Sequence, residues 1–271
     1  MKRTKNIALS FFILLLVATR SCAIDIVAVS PWIAVLTHFI GGIKVNVIPL
    51  TTWDNGRTNR AKIRSAINAD TYIIALDSSE IKNIGLDESY YSNIRFLYEN
   101  APFDDSESDK YFGDPSVLPF IAQRLLPVLS SFDPDNFPYY QRRLAEFQTR
   151  LSSTTLAGRN LLKGQKVLDL TLSSGYFLIA AGCDVSRPDM DEIDEWIRLK
   201  QTEKLNELVI NSQKENKLVI IDGATPKQIR TSLGTLPNIV ALSRPQLDQD
   251  FLAFLHDQYL IIWNAVKDKA K

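Results

Sequence analysis

Along the chain, short strand-like apolar runs alternate with stretches of helical spacing. Ile24–Val29 (IDIVAV) is a β-rich run, and Ser30-Pro31 supplies an N-cap with proline in the first helical position. A helix from Trp32 to about Ile40 follows, Gly41-Gly42 ends it, and Ile43–Leu50 (IKVNVIPL) alternates with period two as a second strand. This is a βαβ unit. After the loop Thr51–Arg60, Ala61–Ala69 reads as a helix and Thr71–Leu76 (TYIIAL) as a buried parallel strand, with Ile94–Leu97 as a further strand.

The pattern changes at Asp133. In DPDNFPYYQRRLAEFQTRL, Asp133 is an N-cap candidate, Pro134 lies just inside it, and Tyr140, Leu144, Phe147 and Leu151 recur at helical spacing. The spacing predicts one long amphipathic helix in mid-chain. Strand and helix patterns then resume: Lys166–Leu170, Tyr176–Ala181, Leu205–Glu215, Leu218–Asp222, Pro226–Leu233, Ile239–Leu242 and a terminal helix over Gln249–Trp263. The expected fold is α/β: two α/β lobes with parallel sheets, joined by a long rigid backbone helix, with a ligand cleft between them. The expected division is a leader over residues 1–23, an N-terminal lobe over 24–132, the linking helix over 133–163 and a C-terminal lobe over 164–271.

The leader follows from the first residues. Lys2, Arg3 and Lys5 precede Ile7–Ala18, an apolar run too short to cross a membrane, so the segment reads as a secretory signal. Ser21 and Ala23 suit cleavage after Ala23, and lipidation at Cys22 is the weaker alternative because Arg20 disfavours it. The expected location is periplasmic or secreted. The full chain balances 31 basic and 31 acidic residues; residues 1–23 carry four of the bases and no acid, so the remainder is acidic. That argues against a nucleic-acid partner. Cys183 is then the single cysteine, which excludes an intramolecular disulfide, and AAGCDV reads as a small buried hydrophobe.

In open parallel sheets ligands bind beyond the carboxyl ends of the strands, so the loops there carry the candidate chemistry. They are Ser30-Pro31, Thr51–Arg60, Gly113–Pro119, Thr171–Gly175 and Ser243–Gln246. The acidic loop Phe103–Asp109 reads as solvated surface.

Five segments in this order and spacing, VAVSPWIAVLTHFIGG (27–42), IRSAINAD (63–70), GDPSVLPFIAQRLLPVL (113–129), DPDNFPYYQRRLAEFQTRL (133–151) and GYFLIAAGCDV (175–185), resemble the metal-binding receptors of bacterial ABC transporters. Those receptors deliver zinc or manganese. The resemblance spans nearly all of the chain after the leader and implies two lobes on a long helix, with ABC permease and ATPase subunits as partners. It implies contact with a membrane only through the permease.

The departure lies at the metal site. The family holds its ion with histidines and a late carboxylate, and the resemblance places those positions at Asp54, Ser116, Thr171 and near Ser243. One carboxylate with neutral hydroxyls is a poor donor set for a small transition-metal dication. His38 and His256 fall inside predicted helices and read as packed or surface histidines rather than ligands. No metal ligand and no cofactor is therefore expected. Asp54, Asn55, Arg57, Ser116, Thr171, Ser173 and Ser243, with Trp53 as a stacking surface, are the groups that would orient a small polar solute. The plain alternative is that Asp54-Asn55-Gly56 is a turn and the serines are helix caps. Residual metal binding through Asp54, Asp114 or Asp222 is a third reading.

No G-x-S-x-G, no P-loop and no H-E-x-x-H occurs, and no nucleophile has a positioned base, so no enzyme is expected. The second functional class is a non-transport scaffold or adhesin-like binding module that keeps the fold without a solute.

Overall fold

The computed structural model describes residues 23–53, 67, 71–86, 92–100, 111–171, 174–199, 202–223, 225–233, 236 and 238–269. The leader as far as Cys22, the expected helix over 61–69 apart from Ile67, the acidic loop, and Asp54, Asn55, Arg57 and Ser173 lie outside these residues.

Two all-parallel sheets of four strands organise the chain. β1 (Ile24–Ala28), β2 (Val45–Pro49), β3 (Tyr72–Ala75) and β4 (Ile94–Phe96) form the first, in the order β2-β1-β3-β4. β5 (Lys166–Asp169), β6 (Asp184–Ser186), β7 (Leu218–Asp222) and β8 (Ile239–Leu242) form the second, in the matching order β6-β5-β7-β8. In both sheets the second neighbour of the first strand arrives from the opposite side, which opens a crevice at the strands' carboxyl ends. The register is fixed by apolar partners: Ile26 faces Val47 on one side and Tyr72 on the other, and Val219 faces Ile239. All five residues of β7 (LVIID) are buried, as expected for a central parallel strand covered on both faces.

Nine α-helices pack on these sheets among the described residues: α1 (Pro31–Gly41), α2 (Ser78–Asn83), α3 (Leu118–Phe132), α4 (Phe137–Leu162), α5 (Gly175–Ala180), α6 (Met190–Arg198), α7 (Thr202–Lys214), α8 (Lys227–Leu233) and α9 (Phe251–Lys269). Ser30 caps α1: its Oγ accepts from Ile33 N at 3.3 Å and Pro31 follows it. Nearly all of α1 is buried, because it lies between its own sheet and the long helix. Asp189 caps α6 by accepting from Asp191 N, so the acids Asp189, Asp191 and Glu192 sit at a helix N-terminus.

The long helix begins later than expected. Pro134–Asn136 form a 3₁₀ turn, and α4 starts at Phe137. Asp133 is not an N-cap: its carboxylate accepts from Asn136 Nδ2 at 2.8 Å and from the Tyr140 hydroxyl at 2.7 Å instead of from backbone N–H groups. From there α4 runs to Leu162 and buries Tyr140, Leu144, Phe147 and Leu151, the residues whose spacing predicted it. β2 also starts two residues late, since Gly42–Lys44 form a 3₁₀ turn that leaves Ile43 exposed. Four elements were absent from the expected pattern: α2, α3, α6 and the edge strand β6.

A single hydrophobic cluster runs through both lobes. It joins Ile26, Ile33 and Leu36 of the first to Tyr140, Phe147 and Leu151 of α4, and continues to Val167, Ile220, Phe251 and Tyr259 of the second. The lobes thus share one core along the helix and separate only beyond it.

Candidate functional site

The carboxyl ends of both sheets face one another. On the first side, Leu50 N and Thr51 N donate to Ala28 O and Val29 O at 2.9 and 3.1 Å, and Thr51 Oγ1 donates to Val29 O at 2.9 Å. These bonds hold Trp53 at the tip of β1. Its ring meets Trp32 edge-on at 5.0 Å, and Trp32 in turn stacks on Phe112 at 5.7 Å and meets Phe251 at 6.2 Å.

On the second side, the loop after β5 is built on Thr171. Its hydroxyl donates to Asp169 Oδ1 at 2.6 Å and accepts from Ser174 N at 3.1 Å. Thr171 is fully buried and faces Asp169. Ser174 Oγ reaches Asp222 Oδ2 at 3.2 Å, while Asp222 Oδ1 accepts from Thr225 N at 2.8 Å. Ser243, beyond β8, pairs with the buried amide of Gln258: Ser243 N donates to Oε1 at 3.0 Å and Gln258 Nε2 donates to Ser243 Oγ at 3.1 Å. Ser116 is exposed, with its N–H donating to Asp114 Oδ1 at 2.8 Å.

Of the expected site residues, the structure therefore brings Trp53 and Ser243 to the same crevice. It places Thr171 one layer behind, and Ser116 outside the cavity lining. The residue missed by sequence reading is Arg244. Its guanidinium donates to the Trp53 carbonyl and lies over the Trp53 ring, with Cζ 5.8 Å from the centroid, so it ties the second lobe to the first. The loop Ser243–Gln246 marks its place, and the arginine directly after Ser243 is the signal it carries. A second bridge is the stack of Tyr111 on Tyr176 at 5.8 Å. Between these contacts the described residues leave a cavity of about 30 Å³, lined by Trp32, Gly113, Ser174, Ser243, Arg244 and Gln258 among others. That is room for one or two waters.

The described side chains alone do not make a donor set for a zinc or manganese ion. Among the described residues no three His, Cys, Asp or Glu side chains converge. The Thr171 hydroxyl is committed to Asp169, and the Asp222 carboxylate accepts from Thr225 and Ser174. His38 lies half-buried in the last turn of α1, and His256 is half-buried on α9 beside Asp257 at 3.9 Å.

Two parallel-sheet lobes facing across a crevice and braced by one long helix have the fold of the zinc- and manganese-type receptors of ABC transporters. Solved structures make the likeness particular. ZnuA matches with a TM-score of 0.65 at 16% identity, covering 90% of this chain and 100% of its own. The binding protein FpvC from Pseudomonas aeruginosa, in complex with Mn²⁺, matches at 0.63 and 13%, covering 92% and 100%. The laminin-binding protein Lmb of Streptococcus agalactiae, described as bifunctional with adhesin and metal-transporting activity, matches at 0.66 and 12%, covering 90% and 100%. No family model and no curated protein matches the sequence. No helix among the described residues is long and apolar enough to cross a membrane.

Proposed function

We propose that this chain is an extracytoplasmic solute-binding protein that works with an ABC permease and ATPase, and that its cleft takes a small polar solute in place of a transition metal. The observation that carries the reading is the set of groups facing the cleft cavity: Ser174, Ser243, Gln258 and Arg244 are hydrogen-bonding groups on an aromatic floor, without a cation-ligand shell among the described residues. A leader ending at Ala23 supports a location outside the cytoplasm. Asp54, Asn55, Arg57 and Ser173 are proposed as further solute contacts on the strength of the sequence alone.

One observation favours a second reading. A cavity of about 30 Å³ closed by Arg244–Trp53 and Tyr111–Tyr176 suits a receptor fold used as a surface-binding module, its lobes held together by their own side chains. Lmb joins adhesin and metal-transporting activity in one such fold.

Native mass spectrometry of the protein purified from its host, with elemental analysis of the same sample, separates these readings. A bound organic mass without metal supports the solute receptor. A stoichiometric transition metal overturns the altered cleft. A bare protein, with no thermal shift across a solute panel, leaves the surface module.

A further inference from the structure

The second lobe holds another cavity, of about 260 Å³, whose lining includes Asp169, Gly175, Tyr176, Ile179, Val185 and Arg187. It shares no residue with the cleft cavity. Its floor is an unfinished polar pair. The Asp169 side chain, at the end of β5, is fully buried. Its Oδ1 accepts from Thr171 N at 2.9 Å and from the Thr171 hydroxyl at 2.6 Å. Its Oδ2 has no hydrogen-bond donor among the described residues. The facing cation, Arg187 Nη1, stands 3.7 Å away, beyond hydrogen-bond reach. Arg187 Nη2 is spent on the Thr171 carbonyl, and its buried Nε also lacks an acceptor. A buried carboxylate oxygen without a donor is costly, and a ligand that supplies the donor recovers that cost.

Only a glycine fits beside this oxygen. A Cβ there would lie 2.6 Å from Asp169 Oδ2 and 3.0 Å from Arg187 Nη1. Any other residue at 175 would push into the gap between the two charges.

The charges decide what fits. Asp169 and Arg187 together are neutral, so a lone cation or a lone anion would meet a like charge beside its partner. A group with a donor for Oδ2 and an acceptor for the guanidinium on neighbouring atoms satisfies both. Tyr176, Ile179 and Val185 add an apolar wall. We propose that this cavity binds a small net-neutral molecule that presents a hydrogen-bond donor and acceptor side by side next to a short apolar group, the pattern of a primary carboxamide or a free α-amino acid. The site stands whether or not the cleft takes a solute. Thr171 couples the two, since its hydroxyl touches both Asp169 and Ser174 N.

The test is a titration of the ¹⁵N-labelled chain from Ile24 onward, followed at the Gly175 and Val185 amides and the Arg187 Nε–H. The probes are isobutyramide and leucine, with isobutylamine and isobutyrate as the single-charge controls. The expected result is a saturable shift with isobutyramide or leucine, with Kd on the order of 1 mM, and none with the controls; which of the two binds names the source of the shared chemistry. Asp169→Asn should weaken binding roughly tenfold or more. Ile179→Trp, at a position 56% exposed and so tolerant of change, should fill the mouth and abolish the shift even where Asp169→Asn fails to fold. No saturable shift with either dipolar probe, an equal response to the amine or the acid, or shifts centred on Ser243 and Gln258 would each overturn the proposal.

Discussion

Gly158→Ala tests the seam that fixes the second lobe to the long helix. At Gly158 α4 passes so close to α9 that an added Cβ would lie 2.5–2.6 Å from three atoms of the Tyr259 ring. The ring cannot swing aside, because it is fully buried and stacked on Phe177 at 4.3 Å with 11° between planes. Overpacking of this kind costs about 1–3 kcal/mol, while alanine regains about 1 kcal/mol over glycine in a helix interior. The net loss is about 1 kcal/mol, reaching ~2. At about 2–4 °C per kcal/mol for a chain of this size, Tm should fall by roughly 2–8 °C in scanning calorimetry. Helix propensity alone gives the opposite sign, so a rise in Tm would refute the close approach. Tyr259→Leu combined with Gly158→Ala should lose less than the sum of the single changes, because the leucine removes the atoms that clash.

Other expectations follow from single contacts. Tyr140→Phe removes the hydroxyl bond to Asp133 and should cost about 1–2 kcal/mol in urea unfolding. Burial first, and then the Asp133 bond, hold the Tyr140 phenol well above its usual range, and burial does the same for Tyr259. Both groups bind their protons more tightly when folded. Their contribution to stability is therefore complete below pH ~10 and lost as pH rises above it, and absorbance titration should show them ionising only on unfolding. Burial pushes the Cys183 thiol up to about 12. At pH 8 its thiolate fraction is then roughly a thousandfold below that of a free cysteine, so Ellman's reagent should react far more slowly with the native chain than in urea; equal rates would exclude the burial. Arg244→Ala should release the Trp53 carbonyl and red-shift tryptophan emission at unchanged helical circular dichroism. An unaltered spectrum would remove Arg244 from the bridge.

The strands and the long helix were legible because their apolar periods are long enough to outvote local accidents. TYIIAL reads as a buried parallel strand and LVIID as a strand, and both are parallel strands. β6 was not legible, since three half-buried or exposed residues on a sheet edge carry no period. The start of α4 was misplaced because Asp133 before Pro134 looks like a cap, and the choice was made by Tyr140, seven residues on, whose buried hydroxyl needed that carboxylate. The Asp169–Arg187 pair spans 18 positions and appears only when β5 and the chain after β6 come together. One signal was present, however: an aspartate inside the apolar run KVLDL is a charge in a buried strand, and such a charge requires a partner.

A cleft that closes on its ligand leaves the bridging to that ligand. In this chain the bridging groups belong to the protein: Arg244 spans to Trp53, Tyr111 meets Tyr176, and Trp32 packs between Phe112 of one lobe and Phe251 of the other. With one core continuous along α4, closure needs no bound ion to hold it. A solute larger than the 30 Å³ space must part these contacts before it enters. Its apparent affinity is then its intrinsic affinity reduced by the fraction of molecules already open. Weakening the Tyr111–Tyr176 bridge by Tyr111→Ala, at a residue that does not line the cavity, should therefore tighten binding of a cleft solute, whereas a partner that reads the outer surface of the closed lobes would bind less well. The same substitution thus moves the two functional readings in opposite directions.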